Sequence, residues 1–398
     1  MRAPLLALAA GLQLGFGWAG GSPPDPGRRT LARPDTTLAL ADSVQALLSF
    51  VMDLRVAPDL SFYLTDRQLP FVLHLDRTGR LIRTLGRAGT GPGEFQRPAM
   101  LGWQGDSLWV YDLGLRRLTL FDTARAGHST VSLLYPARPV STGGRPYLGG
   151  SLLPMAMLPE GGLIVWQPVP PEGSGLPAEA RVFQVSREGE VLDTLARLPA
   201  GHSRLSFVFR DGAIHLVQPF RDDPEVDVSP DGRWLVRADR PAPARAGSAM
   251  FTVMLVERGR GLAYRREWRY TPLPLSDDTV EAYLRGTLAF DPGPGHVRLP
   301  LTRDSLERKL YRPRFFPPVG EIRVGRDGTV WFRFTDASAR GLVRRGQAQW
   351  VALSPRGLEM HRLVLPDRFR VHEVDRRSIW GVEYDRDEVP TVRRFVAR

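Results

Sequence analysis

Five aspartates end five similar strand-like segments of the chain, so their carboxylates are the first candidates for chemistry. Each follows a run of aromatic or β-branched residues, as in L-S-F-Y-L-T-D and S-L-W-V-Y-D. Arranged around one axis, the carboxylates would surround one end of a channel, where Ca²⁺, which takes several oxygen ligands, would bind. The alternative, which we favour, is that each aspartate caps the turn after its own strand. The five residues are Asp66, Asp112, Asp239, Asp336 and Asp385.

No complete catalytic motif accompanies these carboxylates. Cysteine is absent, which excludes disulfides, thiolate metal sites and a cysteine nucleophile. The seven histidines show no H-E-x-x-H or other metal-ligand spacing, and there is no G-x-S-x-G elbow. The glycine-rich stretch 89–95 lacks the Lys-Ser/Thr of a phosphate-binding loop, so we interpret Glu94 as a residue that ties down backbone amides. We therefore predict no catalytic residue and no cofactor, with Ca²⁺ as the alternative.

The net charge of +11, from 54 Lys and Arg against 43 Asp and Glu, does not indicate a nucleic-acid partner. The arginines are scattered along the chain, whereas a nucleic-acid surface normally gathers them into a basic stripe. Arginines on solvated strand faces explain the same composition. We predict a protein or peptide partner and no nucleic acid.

The N-terminal residues have the pattern of a secretory signal. Arg2 precedes an apolar run, 5–18, which ends in Gly17-Trp18-Ala19, a small-x-small cleavage pattern. We predict a signal peptide over 1–19, a disordered lead over 20–35 and a folded domain over 36–398. The alternative is a retained helical anchor. No later segment is apolar enough to span a membrane, so we expect a secreted or periplasmic protein.

A repeat runs through the rest of the chain. A short strand, a strand that in five copies ends in Asp, and a hairpin with a glycine in its turn recur six times. Four strands repeated radially form a β-propeller blade, so we predict an all-β, six-bladed propeller of four-stranded blades. The sixth copy stops after its third strand, and Thr36–Ala41 is the expected donor of its fourth. The tryptophans on the second strands are expected to pack between blades.

The segment Val72–Phe121 resembles the NHL-type propeller repeat. The matching parts are V-L-H-L-D-R-T-G-R-L-I-R-T-L-G, then G-T-G-P-G-E-F-Q-R-P, then S-L-W-V-Y-D. The chain is also similar to exported bacterial six-bladed propellers through W-G-V-E-Y-D-R-D-E-V-P at Trp380–Pro390. The resemblance implies the fold and little about chemistry, because function lies in sites added to a fold.

The long connections of this repeat are expected on one face, which usually marks the binding face of a repeat protein. The longest, 270–318 between blades 4 and 5, contains two predicted helices, from 277 to about 288 and from 302 to 310. It ends in Y-R-P-R-F-F-P-P, where Tyr311, Phe315 and Phe316 either pack against the ring or form a hydrophobic wall beside the channel mouth. Together with Glu94, these are the predicted loop-face residues.

Three functions are compatible with the sequence. The first is a binding module that recognises a protein, peptide or glycan through the loop-rich face, and the missing catalytic motifs favour it. The second is a Ca²⁺-dependent lactonase or esterase that resembles the gluconolactonase and paraoxonase propellers. Those enzymes use asparagine ligands, and this chain has no asparagine. The third is a structural subunit of an envelope assembly.

Overall fold

The structure is a computed structural model that describes residues 30–123, 127–132, 153–167, 179–187, 189–199, 204–209, 212–289, 301–337 and 346–397. These residues form 28 strands, β1–β28, and three helices, α1–α3. The predicted signal peptide and most of the predicted lead lie outside them.

The first three blades are antiparallel four-stranded sheets in simple up-and-down order. Blade 1 consists of β2 (Val51–Val56), β3 (Phe62–Asp66), β4 (Val72–Leu75) and β5 (Leu81–Leu85). Blade 2 consists of β8 (Pro98–Gln104), β9 (Ser107–Asp112), β10 (Arg117–Asp122) and β11 (His128–Ser132). Blade 3 consists of β12 (Leu153–Met157), β13 (Leu163–Gln167), β14 (Glu179–Val185) and β15 (Val191–Pro199).

The next three blades repeat the order, but the last is shorter. Blade 4 consists of β18 (Glu225–Val228), β19 (Trp234–Asp239), β20 (Ala249–Glu257) and β21 (Gly261–Tyr270). Blade 5 consists of β22 (Val319–Val324), β23 (Val330–Phe334), β24 (Gln347–Leu353) and β25 (Glu359–Pro366). Blade 6 has three strands, β26 (Phe369–Val374), β27 (Ser378–Tyr384) and β28 (Pro390–Val396).

The remaining elements lie before or between blades. Outside the blades are β1 (Thr30–Leu31), α1 (Asp42–Gln45), β6 (Arg87–Ala88), β7 (Glu94–Phe95), the hairpin β16 (Arg204–Phe209) and β17 (Gly212–Val217), α2 (Asp277–Ala289) and α3 (Arg303–Lys309). Helices α2 and α3 confirm the helical insertion between blades 4 and 5. The Thr302 side chain and Ser305 form a capping box that starts α3. Both helices pack on the extra hairpin in one apolar cluster, which we call the cap.

The six blades close into a ring. The first strand of each blade contacts the first strand of the next, and β26 of blade 6 returns to β2 of blade 1. Six apolar clusters fill the six junctions between neighbouring blades, so the core is a ring of inter-blade layers. This arrangement confirms the predicted six-bladed propeller.

Tryptophans on the second strands lie in these junctions, as predicted. Trp331 of blade 5 donates its Nε1 hydrogen to the Asp375 carbonyl of blade 6 at 2.9 Å. Trp234 of blade 4 donates in the same way to blade 5. The Trp380 ring packs on Phe62 across the junction of blades 6 and 1, with centroids 5.6 Å apart. Trp331 and Trp234 thus combine a large apolar surface with one polar contact to the next blade, whereas Trp380 contributes apolar surface.

The N-terminal segment contacts the last two blades differently from the prediction. Thr30–Leu31 pairs in parallel with β25 of blade 5. Pro34 then forms a single antiparallel bridge with Phe395 in β28 of blade 6. The predicted fourth strand at Thr36–Ala41 is wrong, since those residues form a turn and an extended, unpaired segment. Contacts with the ring also begin at residue 30, inside the predicted disordered lead.

Local chemistry explains why this segment does not continue as a strand. Pro34 has no N–H to donate to a ladder. The Asp35 carboxylate accepts hydrogen bonds from the Thr37 backbone N–H at 3.0 Å and from its hydroxyl at 2.8 Å. This Asx turn directs the chain away from β28. Blade 6 therefore has one bridge where the prediction placed a full strand.

The segment next crosses to blade 1 at Gly79, which allows a test of the crossing. Gly79 has φ of +92°, and an added Cβ would lie 2.7 Å from the Ala39 carbonyl oxygen. Gly161 has φ of +90° with nothing within 4 Å of an added Cβ. We expect Gly161→Ala to cost about 1 kcal/mol of unfolding free energy from backbone strain alone. Gly79→Ala should cost at least about twice as much because it also displaces the crossing chain. If urea unfolding shows that the two variants lose the same free energy of unfolding, the contact between the crossing segment and Gly79 contributes nothing to stability.

Candidate functional site

A large pocket lies on the loop-rich face, between the cap and the ends of blades 4 and 5. It encloses about 800 Å³. Its wall comes from the connection before blade 4, the ends of the second strands of blades 4 and 5, and the insertion. We call it the cap pocket. The connection before blade 4 and the insertion thus meet in this pocket, and a single face for all the long connections stays a prediction.

The blade 4 side of the cap pocket holds a tightly paired group of charges. The Arg240 side chain is 3% exposed, and it donates to the Asp223 carbonyl at 2.7 Å and to the Val319 carbonyl at 2.5 Å. Arg240 and Arg221 both donate to Oε1 of Glu225, at 2.7 and 2.5 Å. Since Arg240 uses all its nitrogens within the protein, it holds the wall together. Arg221 keeps donors for a ligand.

The blade 5 side has two polar side chains without partners. Gln349 of β24 is 2% exposed, and both polar atoms of its amide lack a hydrogen-bond partner. Arg333 of β23 is partly exposed, and no carboxylate in the described part of the chain pairs with it. An added Cβ at Gly320 would lie 3.4 Å from the Arg333 Cδ, so the glycine leaves room for the arginine stem. In the strand register Gln349 lies opposite Phe334 and Arg333 opposite Trp350, which places the two side chains on different faces of blade 5.

The aromatic residues of the insertion were predicted either to pack against the ring or to form a hydrophobic wall, and the structure shows both kinds of position. Phe315 is 5% exposed and packs inside the protein. Phe316 lines the cap pocket and packs edge-on against Phe220, with centroids 6.0 Å apart. Tyr311 donates its hydroxyl to Asp222 at 2.9 Å, and burial together with this bond raises the pKa of Tyr311 to about 12.

Glu94 lies apart from the cap pocket. Its carboxylate accepts the Gly91 N–H at 2.8 Å and pairs with Arg87 at 2.9 Å. This confirms its predicted contact with a backbone amide in the connection between blades 1 and 2.

A second cavity, of about 490 Å³, lies on the axis of the ring between the first strands of the blades. We call it the central cavity. Its wall has two unlike halves. Blades 2 and 3 contribute Met100, Leu101, Trp109, Pro154 and Met155. Blades 1, 4, 5 and 6 contribute all of its charged groups, which are Asp53, Arg55, Asp227, Glu321, Arg323, Arg370, His372 and Glu373.

Asp53 and Arg55 form the centre of the charged half. Arg55 donates to Asp53 Oδ1 at 2.7 Å and to the His372 carbonyl of blade 6 at 3.0 Å. Asp53 Oδ2 accepts the Leu101 N–H of blade 2 at 2.9 Å. Burial alone would raise the pKa of Asp53, but Arg55, His372 and this N–H together lower it. One carboxylate and one guanidinium thus connect three blades.

His372 enters this group from a β-bulge. The register of β26 shifts between Val371 and Glu373, so His372 is the extra residue of its strand. Its Nδ1 lies 3.4 Å from Asp53 Oδ1, and its Nε2 is buried without a hydrogen-bond partner. The bulge therefore places an imidazole in the wall of the central cavity.

Glu373 is paired less closely than Asp53. It lies 3.8 Å from Arg55 Nε and 4.0 Å from Arg326 Nε, and it accepts the Val56 N–H of blade 1 at 3.4 Å. Burial raises the pKa of Glu373 to about 7, because these long contacts compensate only part of the lost hydration. Asp227 of blade 4 accepts the Val324 N–H of blade 5 at 2.9 Å, and burial likewise raises its pKa.

The five strand-end aspartates bind mainly within the protein. Asp66 accepts three backbone N–H groups, from Ser49, Phe50 and Gln68. Asp112 accepts four, and Asp385 accepts two from its own turn. Asp239 pairs with Arg237 at 2.7 Å. Asp336 accepts the Thr271 N–H and is the one that lines the cap pocket. The contacts of Asp66, Asp112 and Asp385 with their own turns match the turn-capping interpretation, whereas Asp239 and Asp336 bind other residues. A ligand role for the five stays a prediction.

No group of three or more His, Asp or Glu side chains within the described ranges is arranged to hold a metal ion. The acidic groups of the central cavity are instead separated by arginines. The Ca²⁺ alternative therefore gains no support from this part of the chain.

The charged inner strands were not singled out from the sequence. A signal for them exists, since Asp53-Leu54-Arg55 and Glu321-Ile322-Arg323 place opposite charges two residues apart on short strands. Residues at i and i+2 share a strand face, and the first strand of a blade lines the axis. Charges at this spacing on a first strand therefore predict an axial network.

Comparisons with known proteins found a distant likeness to solved structures. No family model and no curated protein matches the chain. Among solved structures, a candidate exported protein of Bacteroides fragilis shares 10% identity at a TM-score of 0.45, over 91% of this chain and 93% of its own. Virginiamycin B lyase from Staphylococcus aureus shares 10% identity at a TM-score of 0.40, over 88% of this chain and 96% of its own. Regucalcin from Agrobacterium tumefaciens shares 11% identity at a TM-score of 0.34, over 88% of this chain and 90% of its own.

Across the ranges that the structure covers, no helix is both long and apolar enough to cross a membrane. The ring of six sheets and the repeat that produces it agree with each other. The chain is a six-bladed β-propeller, similar in its first two blades to the NHL type.

Proposed function

We propose that the protein is a binding module whose cap pocket holds a short peptide segment that bears a carboxylate. The observation that carries this proposal is the buried amide of Gln349, which has neither a donor nor an acceptor partner. An unsatisfied buried polar group costs about 1–3 kcal/mol. A side chain with that cost is expected where a ligand supplies the missing partners.

The chemistry of the pocket favours a peptide. A glutamine amide offers one acceptor and two donors, which complement the N–H and C=O of a peptide bond. Arg333 and the remaining donors of Arg221 suit a carboxylate, and Leu273 and Phe316 add apolar surface. The volume lies within the range of about 300–1,000 Å³ that is usual for ligand pockets.

Stability and binding should respond in opposite directions at Gln349. We expect Gln349→Met to raise the free energy of unfolding by about 1 kcal/mol, because it removes the unpaired amide. The same substitution should weaken peptide binding. Gln104→Met is the matched control, since Gln104 donates to the Leu158 carbonyl at 2.8 Å, so its loss should lower stability by about 1 kcal/mol and leave binding unchanged.

The binding measurement uses an array of ten-residue peptides of acidic, neutral and basic composition. The proposal predicts that acidic peptides bind and that Arg333→Gln and Gln349→Met each reduce that binding. Peptide binding that survives both substitutions would place the site elsewhere, and an array without any bound peptide would overturn the peptide proposal.

The proposal includes export from the cytoplasm. It is supported by the charged start, the apolar run and the small-x-small pattern of residues 1–19.

A further inference from the structure

We infer that the central cavity is a second binding site, whose ligand is a monocarboxylate with an apolar body. This inference does not depend on the peptide proposed for the cap pocket. It is drawn from the polar groups of the cavity wall that remain without partners, and from the division of that wall into a charged and an apolar half.

Two unpartnered groups of this wall are donors. Trp109 is 1% exposed and its Nε1 has no hydrogen-bond partner. Arg55 Nε is also buried without one. His372 Nε2 is unpartnered too, and it is an acceptor in the neutral ring that directs its Nδ1–H to Asp53. Arg370 lies at the rim, where its guanidinium stacks 4.6 Å from the Phe50 ring centroid, and no carboxylate in the described residues pairs with it.

The carboxylates of the wall, in contrast, are already occupied. Asp53 and Asp227 accept backbone N–H groups of the next blades. Glu321 pairs with Arg323 at 2.9 Å, and Glu373 accepts the Val56 N–H. What the wall lacks is therefore an acceptor, and a carboxylate supplies two acceptor oxygens.

The opposite half of the wall defines the rest of the ligand. Met100, Met155 and Pro154 face the axis without a charged neighbour from blades 2 or 3. Methionine adapts its shape to apolar ligands. A ligand with one anionic end and an apolar body satisfies both halves, whereas a small inorganic oxyanion satisfies only one.

Binding of an anion here should strengthen as the pH falls. Several titratable groups face Glu373, namely Asp53 and Arg55 of blade 1, Arg326 of blade 5 and its neighbour His372. The pKa of Glu373 is about 7, so below neutral pH its protonation removes one negative charge from the wall.

The test is calorimetric titration of the full chain with octanoate and with its neutral counterpart octanamide, at pH 6 and pH 8. We expect octanoate to bind, octanamide to bind at least tenfold more weakly, and octanoate to bind more tightly at pH 6. A parallel titration with 3-phenylpropanoate tells whether a linear or an aromatic body is preferred.

Two substitutions localise the site. Arg370→Gln, at an exposed position that should not disturb folding, is expected to weaken octanoate binding at least tenfold, and His372→Gln is a second probe. Arg265→Gln is the matched control, because Arg265 is an exposed arginine on the outer strand of blade 4 that lines neither cavity. Arg333→Gln tests instead whether the acid binds in the cap pocket.

Each contrary outcome overturns the inference. Equal binding of octanoate and octanamide would exclude recognition of the carboxylate, and absence of binding by both acids would exclude the ligand class. Loss of binding in Arg333→Gln alone would place the acid in the cap pocket. Full competition by sulfate would show that the apolar half takes no part.

Discussion

Replacing Arg55 by methionine is expected to lower the free energy of unfolding by about 3–5 kcal/mol, the cost of breaking a buried ion pair by removing one partner. The Arg55 guanidinium lies between Asp53, which is 8% exposed, and Glu373, which is 7% exposed. Without it, Asp53 keeps the Leu101 N–H and the 3.4 Å contact with His372, and Glu373 keeps the Val56 N–H and the 4.0 Å contact with Arg326. The hydrogen bond to the His372 carbonyl is lost as well.

Urea unfolding at pH 8, where both carboxylates are largely ionised, measures this loss. The control is Arg87→Met, because the Arg87 side chain is 81% exposed in its pair with Glu94 and exposed pairs contribute about 0–1 kcal/mol. Adding Asp53→Asn to Arg55→Met should recover part of the loss, since it removes one of the charges left unpaired. If Arg55→Met lowers the free energy of unfolding by less than about 1 kcal/mol, water hydrates these carboxylates in the variant and the pair does not behave as a buried one.

The contribution of Glu373 to the stability of the protein is expected to fall as the pH rises from about 4.5 to about 7. The pKa of Glu373 is near the ordinary value of 4.5 in the unfolded chain and about 7 in the folded one. The folded state therefore binds more protons in this window, so each step upward in pH favours unfolding. The difference corresponds to about 3 kcal/mol at pH 8 relative to pH 4.

Glu373→Gln should abolish this dependence and should be more stable than the natural chain at pH 8. The amide oxygen can still accept the Val56 N–H, so the substitution removes the charge and keeps the contact. Subtracting the two unfolding free energies, measured from pH 4 to pH 8, also removes the contributions of the histidines. Asp53 does not interfere, because its lowered pKa affects stability only at lower pH. The assignment of a raised pKa to Glu373 would be contradicted if the unfolding free energies of the natural chain and of Glu373→Gln rose in parallel from pH 4 to pH 8.

Both predictions concern the junction of blades 6 and 1, where the ring closes. Blade 6 lacks a full fourth strand, and the N-terminal segment contributes one bridge to it. Across this junction the inner strands are joined by the Arg55 bond to the His372 carbonyl, by the Glu373 contact with the Val56 N–H, and by a bond from Arg326 of blade 5 to the Val56 carbonyl at 3.0 Å. Side chains at the axis thus supply much of the closure that the sequence assigned to an outer strand.

The sequence by itself determined the architecture. Strand alternation, turn glycines and the sixfold repeat are local signals, and each predicts its own element wherever the element lies. For the same reason the helices of the insertion and the tryptophans of the second strands were predictable, because every blade repeats one local environment.

Tertiary structure alone decided the course of the N-terminal segment and the position of the cavities. The Asx turn at Asp35 competes with strand pairing at Pro34, and a two-residue difference in pairing is not visible in a pattern of apolar residues. Asp53 and His372 are 319 residues apart in sequence, and only the closure of the ring brings them within 3.4 Å. Interactions between residues so far apart in sequence depend on the geometry of all six blades, whereas the sequence pattern of one repeat predicts the structure of one blade only.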